Sequence, residues 1–282
     1  MKVGVRLGAI AATALACVAL ALTPAEAAGG NISLASHRAV YDLKLVKARG
    51  NRPIQSVRGR ILYDFSGNAC EGYALQFRQV SEIDSGEGQP VLSDLRATTW
   101  EEGESKSFRF NSQNFTNSRP GDNVDGKAER NAKGVRVSLA RPSRKAFELP
   151  PKLSFPTQHM RQIIEAAQSG KSVFEVTVYD GSETGEKVYE TLTVIGRPIE
   201  AGANKPADAA GADAALAGMR RWPVRISYFD KAKSEGEATP VYSIAFELYE
   251  NGISRNLSLD YNDFVISGEM TTLEIRKQAP CK

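Results

Sequence analysis

Three cysteines, two histidines and a few acidic pairs are the side chains whose types could carry chemistry. Cys17, Cys70 and Cys281 lack the Cys-x-x-Cys spacing that thiol–disulfide catalysis favours. His37 and His159 belong to no His-x-x-x-His pattern or Cys/His cluster, so no metal is expected. Both read as structural histidines, His37 opening a strand and His159 starting a helix. Glu101-Glu102 reads as a solvated turn after Trp100. Asp260 and Asp263 flank a tight connection, where Asp is favoured for its local hydrogen bonds. Gly181-Ser182-Glu183-Thr184-Gly185 lacks the spacing of a nucleophile elbow and falls in a polar hairpin turn. No phosphate-binding glycine loop occurs. No catalytic residue and no cofactor is expected, and the chain does not read as an enzyme.

The cysteines make more sense through their compartment. Lys2 and Arg6 precede the uncharged run LGAIAATALACVALAL, which Pro24 and the small-residue pattern Ala25-Glu26-Ala27 follow. A charged start, an apolar middle and an A-x-A end describe a secretory signal peptide. Residues 1–27 are therefore expected to be cleaved, and the protein to be periplasmic. Cys17 lies inside the apolar run, and the residues before it do not fit a lipid-attachment signal, so it is discarded with the peptide. Two cysteines then remain in an oxidising compartment, and a Cys70–Cys281 disulfide is the natural reading. It would anchor a chain end that otherwise frays.

Removing Lys2, Arg6 and Glu26 from 36 basic and 33 acidic side chains leaves 34 and 32, a net charge of +2. Such a near-neutral chain carries no electrostatic footprint for nucleic acid.

The elements that would position these residues are mostly strands. In AVYDLKLVKA, Tyr41, Leu43 and Leu45 share one face; in FEVTVYDG, Phe174, Val176 and Val178 do. VYSIAFELYENG and SRNLSLDYNDF alternate likewise around Asn251-Gly252. Period-2 runs separated by glycine-rich turns are antiparallel hairpins. One segment differs: FPTQHMRQIIEAAQSGK spaces Met160, Ile163, Ile164 and Ala167 for a helix, with Thr157 as N-cap and Gly170 as stop. Residues 196–218 are rich in Ala, Gly, Asp and Pro, which predicts a flexible loop insertion that folding can spare. Residues 28–282 are expected to form a single β domain.

SHRAVYDLKL, GRILYDFSGNACEGYALQFR, RRWPVRISYFD and YSIAFELYENGISRNLSLDYNDFVISGEM, with the helical segment between them, resemble the EipB-like cell envelope integrity proteins, an alphaproteobacterial periplasmic family. The resemblance runs from about His37 to Cys281, and Cys70 and Cys281 match the family's cysteine pair. It implies a mainly β fold: a spiral-like open β-barrel of two curved antiparallel sheets with one central helix. It also implies a role in envelope integrity with no established enzyme activity.

Two function classes follow. One is a scaffold or interaction module with a periplasmic protein partner, for instance a repeat-containing one. The other is a carrier or sensor of an acyl chain, lipoprotein or peptide in a concave apolar cleft, as in Lol-type carriers. Met160, Ile163 and Ile164 are the candidates to line such a cleft, and the same residues would serve equally as core.

Overall fold

The structure, a computed structural model, describes residues 32–49, 54–233, 239–278 and 281. The expected signal peptide lies outside the described residues. Among the described residues fourteen strands follow one another: β1 (His37–Ala48), β2 (Ser56–Asn68), β3 (Gly72–Asp84), β4 (Val91–Glu101), β5 (Ser107–Thr116), β6 (Arg119–Arg130), β7 (Val135–Arg141) and β8 (Lys145–Leu149). After helix α1 (Pro156–Gln168) come β9 (Val173–Val178), β10 (Tyr189–Ile195), β11 (Arg221–Asp230), β12 (Tyr242–Tyr249), β13 (Ser254–Asp260) and β14 (Phe264–Ile275). Between β10 and β11 lie two single-turn helices, α2 (Ala209–Ala212) and α3 (Ala214–Ala217).

The alternation read from the sequence is the alternation of burial. Ala39, Tyr41 and Leu43 are buried on β1, while Arg38 and Lys44 are exposed. The two strand groups are not two sheets, however. They form one antiparallel sheet, ordered from β8 back to β1, then β14 back to β9. The joint is the pairing of the first strand with the last, from His37 opposite Ile275 to Ala48 opposite Phe264. Hairpins are local and leave a sequence signature; a first-to-last pairing is decided by topology and leaves none.

The sheet ladder stays open, with β8 and β9 at its edges. The chain crosses between those edges through residues 150–155 and α1. Ser154 forms a parallel bridge with Val178: its N–H donates to Thr177 O at 2.8 Å, and its carbonyl accepts from Tyr179 N at 3.0 Å. Arg130 on β6 straps the crossing down. Its guanidinium donates to Leu153 O at 2.7 Å, Ser105 O at 2.8 Å and Gln158 Oε1 at 2.9 Å, and it lies over the Phe155 ring.

The start of α1 differs from expectation. Phe155 is the N-cap and Pro156 the first helical residue, so Thr157 caps nothing. Proline suits that place because its fixed φ is helical and its missing N–H would have been unpaired anyway. The next two orphan N–H groups, of Thr157 and Gln158, donate to Glu101 at 2.7 and 2.8 Å. Glu101 is thus no solvated turn: it is 1% exposed. At the other end Gly170 stops the helix as expected. With φ at +76°, it donates to Ala167 O while Lys171 N donates to Ala166 O, a Schellman pairing.

Residues 196–218, expected as a flexible loop, are held by packing and charge. Ala210 and Leu216 are buried in the main core. Arg221 Nη2 donates to Asn204 O at 2.7 Å, and Arg255 Nε to Asp208 at 2.8 Å. Glu247 joins the two guanidinium groups, at 2.6 Å from each. The restraints come from β11 to β13, outside the segment, which is why its own composition hid them.

The chain end is also held. Cys70, in the β2–β3 turn, is bonded to Cys281 with a Cα–Cα separation of 5.7 Å across 211 residues. Gln278 Nε2 adds a hydrogen bond to Gly67 O at 2.8 Å, near the end of β2.

Candidate functional site: a two-histidine cavity and an open groove

Two hollows among the described residues are candidates for binding. The first is a cavity of about 230 Å³ beneath α1. From the helix, Thr157, His159, Met160 and Ile163 face it; from β1 and β2, His37, Tyr63 and Phe65; from β11, Ile226 and Tyr228. Asp180 stands just past β9 on the same wall. Of the three helix residues expected to line a cleft, Met160 and Ile163 are on this wall and Ile164 is not. Ile164 is fully buried in the core one helical step away, while Ile163 serves both core and wall.

The two histidines lie 122 positions apart in sequence, yet both line this cavity. Neither spacing nor local pattern could signal that. His37 is 2% exposed; its Nδ1 donates to Ala35 O at 2.8 Å, which leaves Nε2 of the neutral ring as an acceptor. Its ring stacks on Tyr63 at 5.5 Å. His159 is 4% exposed, and its Nε2 has no hydrogen-bond partner. Burial pushes the His159 imidazole down to about 4 and lowers His37 as well, so both are neutral at pH 7. Burial pushes the Tyr63 hydroxyl up to about 12 and raises the Asp180 carboxyl. The cavity is therefore aromatic and aliphatic, with two neutral imidazoles, the Asp180 carboxyl and no Lys or Arg in its wall.

The second hollow is an open groove of about 600 Å³ across β4 to β7. Trp100, Arg109, Asn111, Asp125, Lys127 and Ser138 line it. The Arg109 guanidinium lies 5.3 Å over the Trp100 ring. Gly126 sits at its floor, where a Cβ would come within 2.6 Å of the Phe110 ring and 2.8 Å of Leu139. The sequence pattern flagged none of these residues, because exposed polar side chains on strands are the rule.

Among the described residues, no group of three His, Cys, Asp or Glu side chains is arranged to hold a metal ion. The remaining acids have structural places. Asp260 pairs with Arg49 at 2.7 Å and accepts from Asn262 N, the local turn bond expected of it. Gly181 to Gly185 lie in the β9–β10 connection, where Gly185 O accepts from the Tyr179 hydroxyl.

The model of the family described as EipB-like matches residues 28–277. The chain belongs to the EipB-like family. A curated relative, the "Cell envelope integrity protein EipB" of Brucella abortus (strain 2308), is 34% identical over 271 residues, covering 96% of this chain and 95% of the relative. A solved structure from Brucella abortus, described as a beta-barrel-like protein of a domain of unknown function, matches with a TM-score of 0.80 at 34% identity. The match covers 87% of this chain and 100% of that one. The open fourteen-stranded sheet seen here is thus an EipB-like fold. Cys70 and Cys281 are bonded in it.

Proposed function

We propose that this chain is a non-enzymatic periplasmic protein that supports the integrity of the cell envelope by binding a protein partner. The observation that carries the envelope role is the similarity to a cell envelope integrity protein along nearly the whole of both chains. The signal-like residues 1–27 and the disulfide favour the periplasm, since disulfides persist in oxidising compartments. The open groove favours a partner, because buried Trp and Arg side chains supply much of the binding energy at protein interfaces.

The carrier reading, with an acyl chain, lipoprotein or peptide as cargo, fits the geometry less well. A volume of about 230 Å³ lies below the roughly 300–1,000 Å³ of ordinary ligand clefts. A long acyl chain would need the cavity to open.

The test is complementation of a strain lacking the protein, scored by survival in detergent and cell-wall antibiotics. Wild type should restore survival; a Trp100→Ala/Arg109→Ala double variant that keeps the wild-type melting temperature should not. A photo-crosslinker at Thr98 should capture a protein in wild-type cells. Full complementation by the double variant removes the groove from the reading. An acyl-mass adduct in native mass spectrometry promotes the carrier instead.

A further inference from the structure

We propose that the cavity beneath α1 binds a small ring compound that carries no negative charge and donates a hydrogen bond, such as a phenol, with His37 as the recognising side chain. The site goes beyond the partner reading and does not depend on it.

Size sets the first limit. An apolar cavity of about 150 Å³ in another protein accepts benzene. About 230 Å³ therefore takes one ring with a few substituent atoms. Shape and surface set the second. The walls present the rings of His37, Tyr63, Phe65 and Tyr228 together with Met160 and Ile163. Flat aromatic rings and a polarisable thioether suit a planar guest.

Polarity sets the third limit. His37 holds its Nδ1 proton on Ala35 O, so its Nε2 can only accept while the ring is neutral. His159 stands on the same wall, but its unpartnered Nε2 is shut off from the hollow. Buried polar atoms are nearly always hydrogen-bonded, so an acceptor on the wall of a hollow favours a guest that brings a donor. A donor on the guest satisfies an imidazole acceptor; a purely apolar guest does not. An anion is excluded by cost. No Lys or Arg lines the cavity to pair an anion, and burying an unpaired charge is far more unfavourable than burying a hydroxyl.

The test uses the mature full chain, with phenol as probe and toluene and benzoate as controls. The chain has only two histidines, so imidazole ¹⁵N signals report this site without ambiguity. Phenol should shift both sets of ring nitrogens saturably. Toluene, of nearly the same shape, should bind at least about tenfold more weakly for want of the donor, and benzoate likewise for its charge. His37→Phe should erase the preference for phenol over toluene, and Ile163→Trp should abolish both by filling the space. Equal binding of phenol and toluene overturns the recognition, and unmoved imidazole signals overturn the site, leaving a cavity that holds water only. If either variant fails to fold, the wild-type imidazole shifts and the phenol/toluene ratio decide alone. Neither variant touches Trp100 or Arg109, so failure here leaves the groove reading intact.

Discussion

Glu101, at the end of β4, accepts the backbone N–H of Thr157 at 2.7 Å, fifty-six residues away on the first turn of α1. Its second oxygen accepts from Gln158 N at 2.8 Å and from the Ser105 hydroxyl at 2.9 Å. A buried carboxylate on the positive end of a helix dipole is thus the clamp between the β4–β5 turn and the helix that roofs the cavity. Glu101→Ala should destabilise the fold by about 2–4 kcal/mol, because it strands two buried donors and a hydroxyl. Glu101→Gln, which can still accept one bond, should cost less. Urea denaturation checks both; an alanine variant within about 0.5 kcal/mol of wild type would show that water replaces the clamp.

The Cys70–Cys281 bond closes a loop whose ends are 211 residues apart. Chain entropy gives on the order of 5 kcal/mol for that length, and measured values commonly run from about 2 to 5. Cys70→Ser or Cys281→Ser should lower the melting temperature by roughly 5–15 °C on the size scaling of domains this large. Calorimetry of the oxidised wild type against either variant decides it. An unchanged melting temperature would mean that β1–β14 pairing and the Gln278 contacts already hold the chain end.

The buried His159 should make stability depend on pH. Unfolded, it takes up a proton near pH 6.5; folded, only near 4. Between those values the unfolded state binds more protons, so stability falls as pH is lowered through the window. The full effect is about 3 kcal/mol for one site. Burial lowers His37 too, which adds in the same direction. Burial raises Glu101, which acts against them over part of the range. The clean observable is therefore the difference from His159→Phe. Wild type should lose about 2–3 kcal/mol relative to that variant between pH 7 and pH 4, and a constant difference would refute the assignment.

Leu216, on α3, is 3% exposed and belongs to the main core. Leu216→Ala should cost about 2–4 kcal/mol, as a core cavity does. Asp208→Ala removes the carboxylate that Arg255 holds. It should speed hydrogen exchange and proteolysis within 196–218 while leaving the sheet protected. If deletion of 201–218 leaves the melting temperature unchanged, the segment contributes no net stability despite its packing.

The histidines show where reading from sequence stops. Each was legible alone, His37 at a strand start and His159 at a helix start, because strand and helix boundaries are local. Their convergence on one cavity was not, because it follows from which strands lie under α1. Glu101 was misread for the same reason. A glutamate after Trp100 looks solvated until a helix start 56 residues later is placed upon it.

The amino-acid sequence by itself determined the period-2 strands, the helix and its Gly170 stop, the export signal pattern and the pairing of Cys70 with Cys281. Each rests on short-range sterics, on composition or on redox compartment, and none needs a distant partner. Only the tertiary structure decided that β1 pairs with β14 to make one sheet, that α1 crosses between its open edges, and that Arg221 and Arg255 tie down residues 196–218. Those contacts join residues far apart along the chain. The free energy that selects them comes from burying one shared core, a property of the whole fold that no local window contains.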